Sequence, residues 1–434
     1  MDEVTHNNTD NNNNLYNEEL PTVISTVGGE GTRLYPLTLA QPKPLVSLCN
    51  RAILRMMFED LAFQGCSDFI LAQKGFENSV RLKDYFQDGE SFSKCLGINN
   101  GKKLCIRMQP KYNDHGSADA VKHCMNYYNI DKSILVVSGD NVLDINIHDL
   151  IKFHNENDAL LTIALTEVKD TNDFGIADIG PDNRIKKFVE KPKPEDAPSH
   201  FANTAVYLFS SEIRDILNKM DTKNGDFGND VIPYLTENGY KVFGYIISGY
   251  WNDVGNPSRY LESTYDILRN KVKHVRFHTE RVGERRWMDM STKERIEKKW
   301  KEGRIFVGDY TYFGANCEVG EDVKIENSVV GDNCIIGKGA RISDSVLMDF
   351  AIVGEGAILN STIVGRYTTI ESTENEPTTL HAGSVVGENI ELPKGTTLGP
   401  KERVCPLRYS HKVMSTGKFK ELGDNGHNFY FSEM

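Results

Sequence analysis

The 434-residue sequence predicts two joined folds: an α/β domain on a doubly wound, parallel or mixed sheet, then a left-handed parallel β-helix. Two patterns carry that expectation. Short β-branched runs alternate with helical apolar patterns up to residue 269. After Arg304 an apolar residue recurs every six positions, often followed by glycine.

Thr22 to Val27 is a short, buried, β-branched strand, followed by a turn rich in Gly28, Gly29 and Gly31. Asn50 to Gln64 carries a helical apolar stripe through Ile53, Leu54, Met57, Phe58 and Leu61. Phe69 to Ala72, Ile134 to Ser138 and Ala159 to Leu165 read as further strands. Ligands in such sheets bind beyond the carboxyl ends of the strands. Gly28 to Arg33 and Gly139-Asp140 both stand directly after strands.

The α/β domain spans residues 21–269. Before it, residues 1–20 include a mostly Asn run from His6 to Asn14, which has nothing apolar to bury and predicts disorder. Residues 270–304 form a basic connector, helical from Ser291 to Gly303, with Ser291 as N-cap and Glu294 at the capping-box position. The β-helix spans 305–410. Val307, Phe313, Val319 and Ile325 lie six apart; the phase slips by one, then Val330, Ile336 and Ile342 continue. Val386, Leu392, Leu398 and Val404 complete the series, and Glu371 to Thr379 interrupts it as a loop. Each step supplies a short strand, with the branched residue inside and Gly or Asn at the turn. Residues 411–434 are a C-terminal extension.

Lys+Arg is 50 and Asp+Glu 62, a net charge of −12, which argues against a nucleic-acid partner. No stretch approaches 18 consecutive apolar residues, so no membrane span is expected. The eight cysteines form no CxxC pair, and the N-terminus lacks a signal-peptide pattern. A cytoplasmic protein with free thiols is expected.

The most informative stretch is Gly28-Gly29-Glu30-Gly31-Thr32-Arg33-Leu34-Tyr35-Pro36-Leu37-Thr38, followed by Pro42-Lys43-Pro44. It does not end in Gly-Lys-Ser/Thr, and Leu34 stands where a dinucleotide fingerprint needs its third glycine. Glycines still let backbone amides approach a phosphate, and Arg33 and Lys43 add positive charge. The stretch resembles the GGxGTRLxPLTxxxPKP signature of the sugar-1-phosphate nucleotidyltransferases. Further segments resemble that family in order: Gly116 to Ala120 (GSADA), Ser138-Gly139-Asp140, Phe174-Gly175, Glu190-Lys191-Pro192, Asn203 to Tyr207 (NTAVY) and Trp251 to Gly255 (WNDVG). A hexapeptide tail is common in the same family. The resemblance covers about 250 residues and implies a Rossmann-like, GT-A-like sheet.

It also implies attack of a sugar-1-phosphate oxygen on the α-phosphorus of an NTP, releasing pyrophosphate, with Mg2+ as cofactor. Asp140 and Asp253 are the implied metal ligands. Arg33 is expected to stabilise pyrophosphate, and Lys43 to bind the sugar phosphate or α-phosphate. Gly28, Gly29, Gly31 and Thr32 form the phosphate loop; Gln109, Gly116 and Ser117 bind the nucleotide. Gly175, Glu190, Lys191 and Asn203 are assigned to the sugar phosphate. Val27, Phe174 and Thr204-Ala205 depart from the family pattern, which bears on substrate identity more than on activity. Asp226 to Pro233 (DFGNDVIP) and Tyr250 to Gly255 resemble glucose-1-phosphate adenylyltransferases, whereas Pro42-Lys43-Pro44 is closer to guanylyl-, uridylyl- or thymidylyltransferases. Glucose-1-phosphate is the expected sugar, the base stays open, and mannose-1-phosphate guanylyl transfer is the alternative. An inactive scaffold subunit is a second class of reading. The β-helix is expected to support a homo-oligomer; acyl transfer is a lesser possibility, because only His381 lies in the repeat region.

Overall fold

The structure is a computed structural model that describes residues 19–97, 103–112, 114–221, 224–273, 275, 277, 279–409, 418–422 and 428–432. The expected N-terminal tail lies outside the described residues as far as residue 18. Four strands run in parallel in the order Cys105–Met108, Asp68–Ala72, Thr22–Thr26, Ile134–Ser138. Val23 and Ile24, on opposite faces of the second-numbered strand's neighbour Thr22–Thr26, are both fully buried, as a parallel strand covered on each side requires. Phe201–Phe209 then pairs antiparallel with Ile134–Ser138, so the sheet is mixed. That strand also pairs with Leu161–Glu167 and Gly175–Ile179. Its register slips between Asn203 and Tyr207, and Ala205 adopts φ 57 in the irregularity.

The first long helix is Ile53–Phe63, shorter than the predicted span because Arg51–Ala52 pairs with Ser47–Leu48 as a small hairpin. The connector helix runs Met290–Lys301 and is capped by Asp289, whose carboxylate accepts from the Ser291 amide. This corrects the expected Ser291 cap: the helix starts earlier, Asp289 two residues before Ser291 is the cap, and the Ser291 hydroxyl also donates to Asp289.

From Phe306 onward, two- and three-residue strands stack into three parallel sheets, the faces of a β-helix. Phe313 pairs over Val330, Val330 over Leu347 and Leu347 over Val364, which sets a coil of 17 residues and explains the slip in the six-residue period. These apolar residues fill the coil interior. A buried hydroxyl ladder runs beside them: the Ser345 amide donates to Ser328 Oγ at 3.0 Å and the Thr362 amide to Ser345 Oγ at 3.2 Å. The interrupted coil carries Val364 over Val386, with Glu371 to Pro377 outside any strand. The C-terminal extension contains an antiparallel hairpin, Lys418–Leu422 with Asn428–Ser432, added to the strand Glu402–Pro406.

The two domains share a core. Leu34, Leu37, Val46 and Tyr260 of the first cluster with Tyr312, Val329, Val346, Ile363 and Val385 of the second. Polar ties frame it: Asn50 Nδ2 donates to Asp332 at 3.0 Å, and Arg366 donates to Ser47 Oγ at 2.9 Å. No helix of the described residues is long and apolar enough to cross a membrane.

Candidate active site

Asp140 follows the strand Ile134–Ser138 and Asp253 ends the strand Trp251–Asp253. They meet because Trp251–Asp253 pairs antiparallel with Asn141–Leu143, placing Asp253 opposite Asn141. Lys43 starts the short turn Lys43–Leu45 and is 7% exposed. Its Nζ donates to Asp140 Oδ2 at 2.6 Å and to Asp253 Oδ1 at 3.1 Å. Burial pushes the Asp140 carboxyl up, but the Lys43 ammonium and the Ser138 hydroxyl outweigh it, so the group is held below the ordinary carboxylate range. The Ser138 hydroxyl donates to Asp140 Oδ1 at 2.5 Å.

Gly31 takes φ 65, which suits glycine, and precedes the single turn Thr32–Leu34. A Cβ there would lie 3.2 Å from both Lys43 Cβ and Thr38 Cγ2. Thr38 closes the loop by donating to the Gly31 carbonyl at 2.8 Å. Arg33 is largely exposed; its Nη1 lies 3.8 Å from Asp173, and its Nη2 lies beside Gly255 of the WNDVG segment. Arg259 bonds Asp173 at 2.8 Å and Asp253 at 3.4 Å, and sits over the Phe174 ring at 4.9 Å. Phe174, lacking a hydroxyl, thus serves as a platform for a cation.

Lys43, Ser138 and Asp140 line a cleft of about 540 Å³. Of the expected residues, Gly28, Gly29, Lys43, Gly116, Ser117, Asp140 and Lys191 line it. Asp253 does not line the cleft but accepts from the lining residue Lys43. Gly116 precedes the helix Ser117–Tyr127, whose Ala118 and Asp119 amides both donate to the Gly225 carbonyl. That helix terminus is therefore already bonded to protein. The Ser117 hydroxyl donates to Asp226 at 2.9 Å. A Cβ on Gly116 would come within 2.5 Å of the Asn224 carbonyl, a backbone atom that cannot swing away. Gly116→Ala is expected to cost about 1–3 kcal/mol in a urea titration, the usual penalty of overpacking.

Other expected residues stand further from the cleft. Gln109 Nε2 donates to the cleft residue Asp114 at 3.0 Å, while its buried Oε1 has no partner among the described residues. Asn203 differs from the sugar-hydroxyl expectation: its Nδ2 donates to the Tyr207 hydroxyl at 2.7 Å and its Oδ1 accepts from the Ala205 amide at 2.9 Å. The bulge in its own strand engages both ends of the amide. At Gly175 a Cβ would lie 2.4 Å from the Phe188 ring and 2.7 Å from Glu190 Oε2, so the glycine clears space for protein side chains. Glu190 is partly buried, and burial raises its carboxyl against the lowering pull of Lys191. Thr32 is exposed on the loop.

Sequence reading passed over Gln73, Lys74 and Asp114, and gave Asp226 no site role; all four line the cleft. Gln73-Lys74 directly follows the strand Asp68–Ala72, so the strand-end rule that selected Gly28 also finds this pair. Asp114 sits in a loop whose return to the cleft no local pattern encodes, while Asp226 caps Phe227–Val231 at the start of the DFGNDVIP segment. Among the described residues no group of three or more His, Cys, Asp or Glu side chains could hold a metal. The described cysteines 49, 66, 105, 124, 317, 334 and 405 carry free thiols.

A family model described as Nucleotidyl transferase matches residues 23–270, and one described as EIF2B subunit epsilon LbH domain matches residues 301–398. Bifunctional protein GlmU of Methanococcus maripaludis is 30% identical over 254 residues, covering 58% of this chain and 56% of that protein. Low-salt glycan biosynthesis nucleotidyltransferase Agl11 of Haloferax volcanii is 29% identical over 328 residues, covering 70% of this chain and 85% of that protein. The chain thus spans little more than half of the first relative and most of the second. Because the Nucleotidyl transferase model covers more than half of the chain, the chain belongs to the nucleotidyl transferase family, with a C-terminal left-handed β-helix.

Proposed function

We propose that the protein transfers a nucleotidyl group from an NTP to glucose-1-phosphate, forming an NDP-sugar and pyrophosphate in an Mg2+-dependent reaction. The observation that carries this reading is the convergence of Asp140 and Asp253 on Lys43, with Lys43 and Asp140 lining a cleft that Gly28 and Gly29 also line. An oxygen of the sugar phosphate attacks the α-phosphorus, the bond to the bridging oxygen breaks, and pyrophosphate carries away its electron pair. The loop amides and Arg33 neutralise that leaving charge, and Arg33 can offer a planar fork of donors. Lys43 binds the phosphate that approaches. Lys191, exposed at the cleft edge, suits the sugar phosphate, with Glu190 toward the sugar. The Oε1 atoms of Gln73 and Gln109, without a partner among the described residues, suit donors on a base edge.

The donor set fits a divalent cation. Both carboxylates lie within 3.1 Å of one point, the Lys43 nitrogen. Mg2+ commonly takes one or two carboxylates and completes its shell with water and phosphate oxygens. Asp140 and Asp253 would hold it, and its chemistry there is neutralisation of phosphate charge.

Cytoplasmic placement is supported by the free thiols, and a homo-oligomer by the exposed Ile335 and Ile352, stacked on one β-helix face. The test is pyrophosphate release with ATP, GTP, UTP, CTP or dTTP against glucose-1-phosphate or mannose-1-phosphate. At least one pair is expected to react, to stop with EDTA and to resume with excess Mg2+. Preference for GTP with mannose-1-phosphate would select the guanylyl alternative; silence with every pair would select the scaffold reading.

A further inference from the structure

We propose that Arg403, near the end of the β-helix, is a positioning residue that sets the direction of Arg33 in the phosphate loop. The inference rests on the nucleotidyl-transfer reading. The β-helix face that packs on the catalytic domain presents one row through successive parallel pairs: Tyr312, Val329, Val346, Ile363, Val385 and Arg403. The first five are buried in the shared apolar cluster. The sixth is a guanidinium that is only 2% exposed. A charge buried where the neighbouring rungs are hydrocarbon is costly unless it is hydrogen-bonded.

The bonds it makes reach the loop. Arg403 Nη1 donates to the Arg33 carbonyl at 3.0 Å and to the Tyr35 carbonyl at 2.5 Å. Holding two nearby peptide planes on one nitrogen limits their rotation, and with it the direction in which the Arg33 side chain leaves the backbone. That side chain runs toward Asp173 and Gly255, beside the Asp253 end of the site. Adjacent packing reinforces the contact: Cys405 clusters with Tyr35 and Leu39, and Gly387 lies against Pro36 so closely that a Cβ would sit 3.0 Å from the ring. Burial lowers the guanidinium pKa to about 10, leaving Arg403 charged at neutral pH. The β-helix therefore touches the reaction through the backbone of the residue assigned to the leaving pyrophosphate.

The test combines steady-state kinetics with hydrogen exchange on the full chain. Arg403→Met is expected to lower kcat by about 10- to 100-fold, the scale of a small misplacement of a reacting group. KM for the sugar phosphate should change by less than about threefold. In an Arg33→Ala background the same substitution should cost less than about twofold more, because both act through one group. Arg366→Gln, at the same interface but bonded to Gln41 and Ser47, supplies the control: stability falls while kcat stays. The Leu34, Tyr35, Leu37 and Leu39 amides, bonded within the loop, should exchange faster in Arg403→Met. Arg403→Lys keeps a cation without the fork and carries the same cycle if the Met variant does not fold. Equal rate loss in both backgrounds, or unchanged loop exchange, overturns the proposal. If the unaltered protein releases no pyrophosphate, the functional reading fails, while the exchange comparison still decides whether Arg403 orders the loop.

Discussion

Asp140→Asn is expected to lower pyrophosphate release by on the order of 10³-fold or more while leaving the fold intact. The amide is nearly isosteric, so packing survives. Its oxygen can still accept from Ser138, and Lys43 keeps Asp253 as a counter-charge. What is lost is one of the two negative charges that converge on Lys43. A factor of 10³ corresponds to about 4 kcal/mol of transition-state stabilisation, a reasonable share for a group that holds a phosphate-bound cation. Turnover and the urea midpoint should be measured together. Activity within tenfold of the unaltered protein, at an unchanged midpoint, would remove Asp140 from the metal site.

Glu59→Ala is expected to destabilise the protein by about 3–5 kcal/mol, the cost of leaving a buried charge without its partner. Glu59 Oε1 accepts from Arg51 Nη2 at 2.8 Å and from Arg55 Nε at 2.7 Å, and the Arg51 and Glu59 side chains are both almost wholly buried. Burial lowers the Arg51 pKa and the Glu59 charge works against that shift. The pair stands where the small hairpin meets the first long helix, close to the β-helix residue Tyr312. A double variant, Arg51→Met with Glu59→Leu, removes both charges and should recover most of the loss in the same urea titration. Failure to recover would mean that the pair contributes through geometry that hydrocarbon cannot replace.

The site was legible in the sequence where its chemistry is local. The loop from Gly28 to Lys43 carries its glycines and cations within one short stretch, so spacing alone exposes it. Asp140 is legible because the strand before it is β-branched and ends in glycine. Gly139 is held to that identity by packing: a Cβ would lie 2.4 Å from Val27 Cγ1, the residue that departs from the family pattern. At Asn203 a motif reports residue type and not the bulge in its own strand, where the amide bonds Tyr207 and Ala205. Asp114 was missed because only chain folding brings its loop to the cleft, whereas Gln73 and Lys74 stand together at a strand end where the same rule could have found them.

By itself the sequence determined the two fold types and singled out the glycine-rich loop and two aspartates as candidates. Those features depend on period and spacing, which short-range physics reads directly. The boundary expected near Arg304 blurs because Arg286–Met288 already pairs with the β-helix strand Thr311–Phe313. Tertiary structure alone decided that Lys43 lies between Asp140 and Asp253, that a helix terminus in the cleft is closed by Gly225, and that Arg403 reaches the loop it holds. Each of these joins residues far apart in the chain, where placement follows from packing two whole domains together and no local pattern records the outcome.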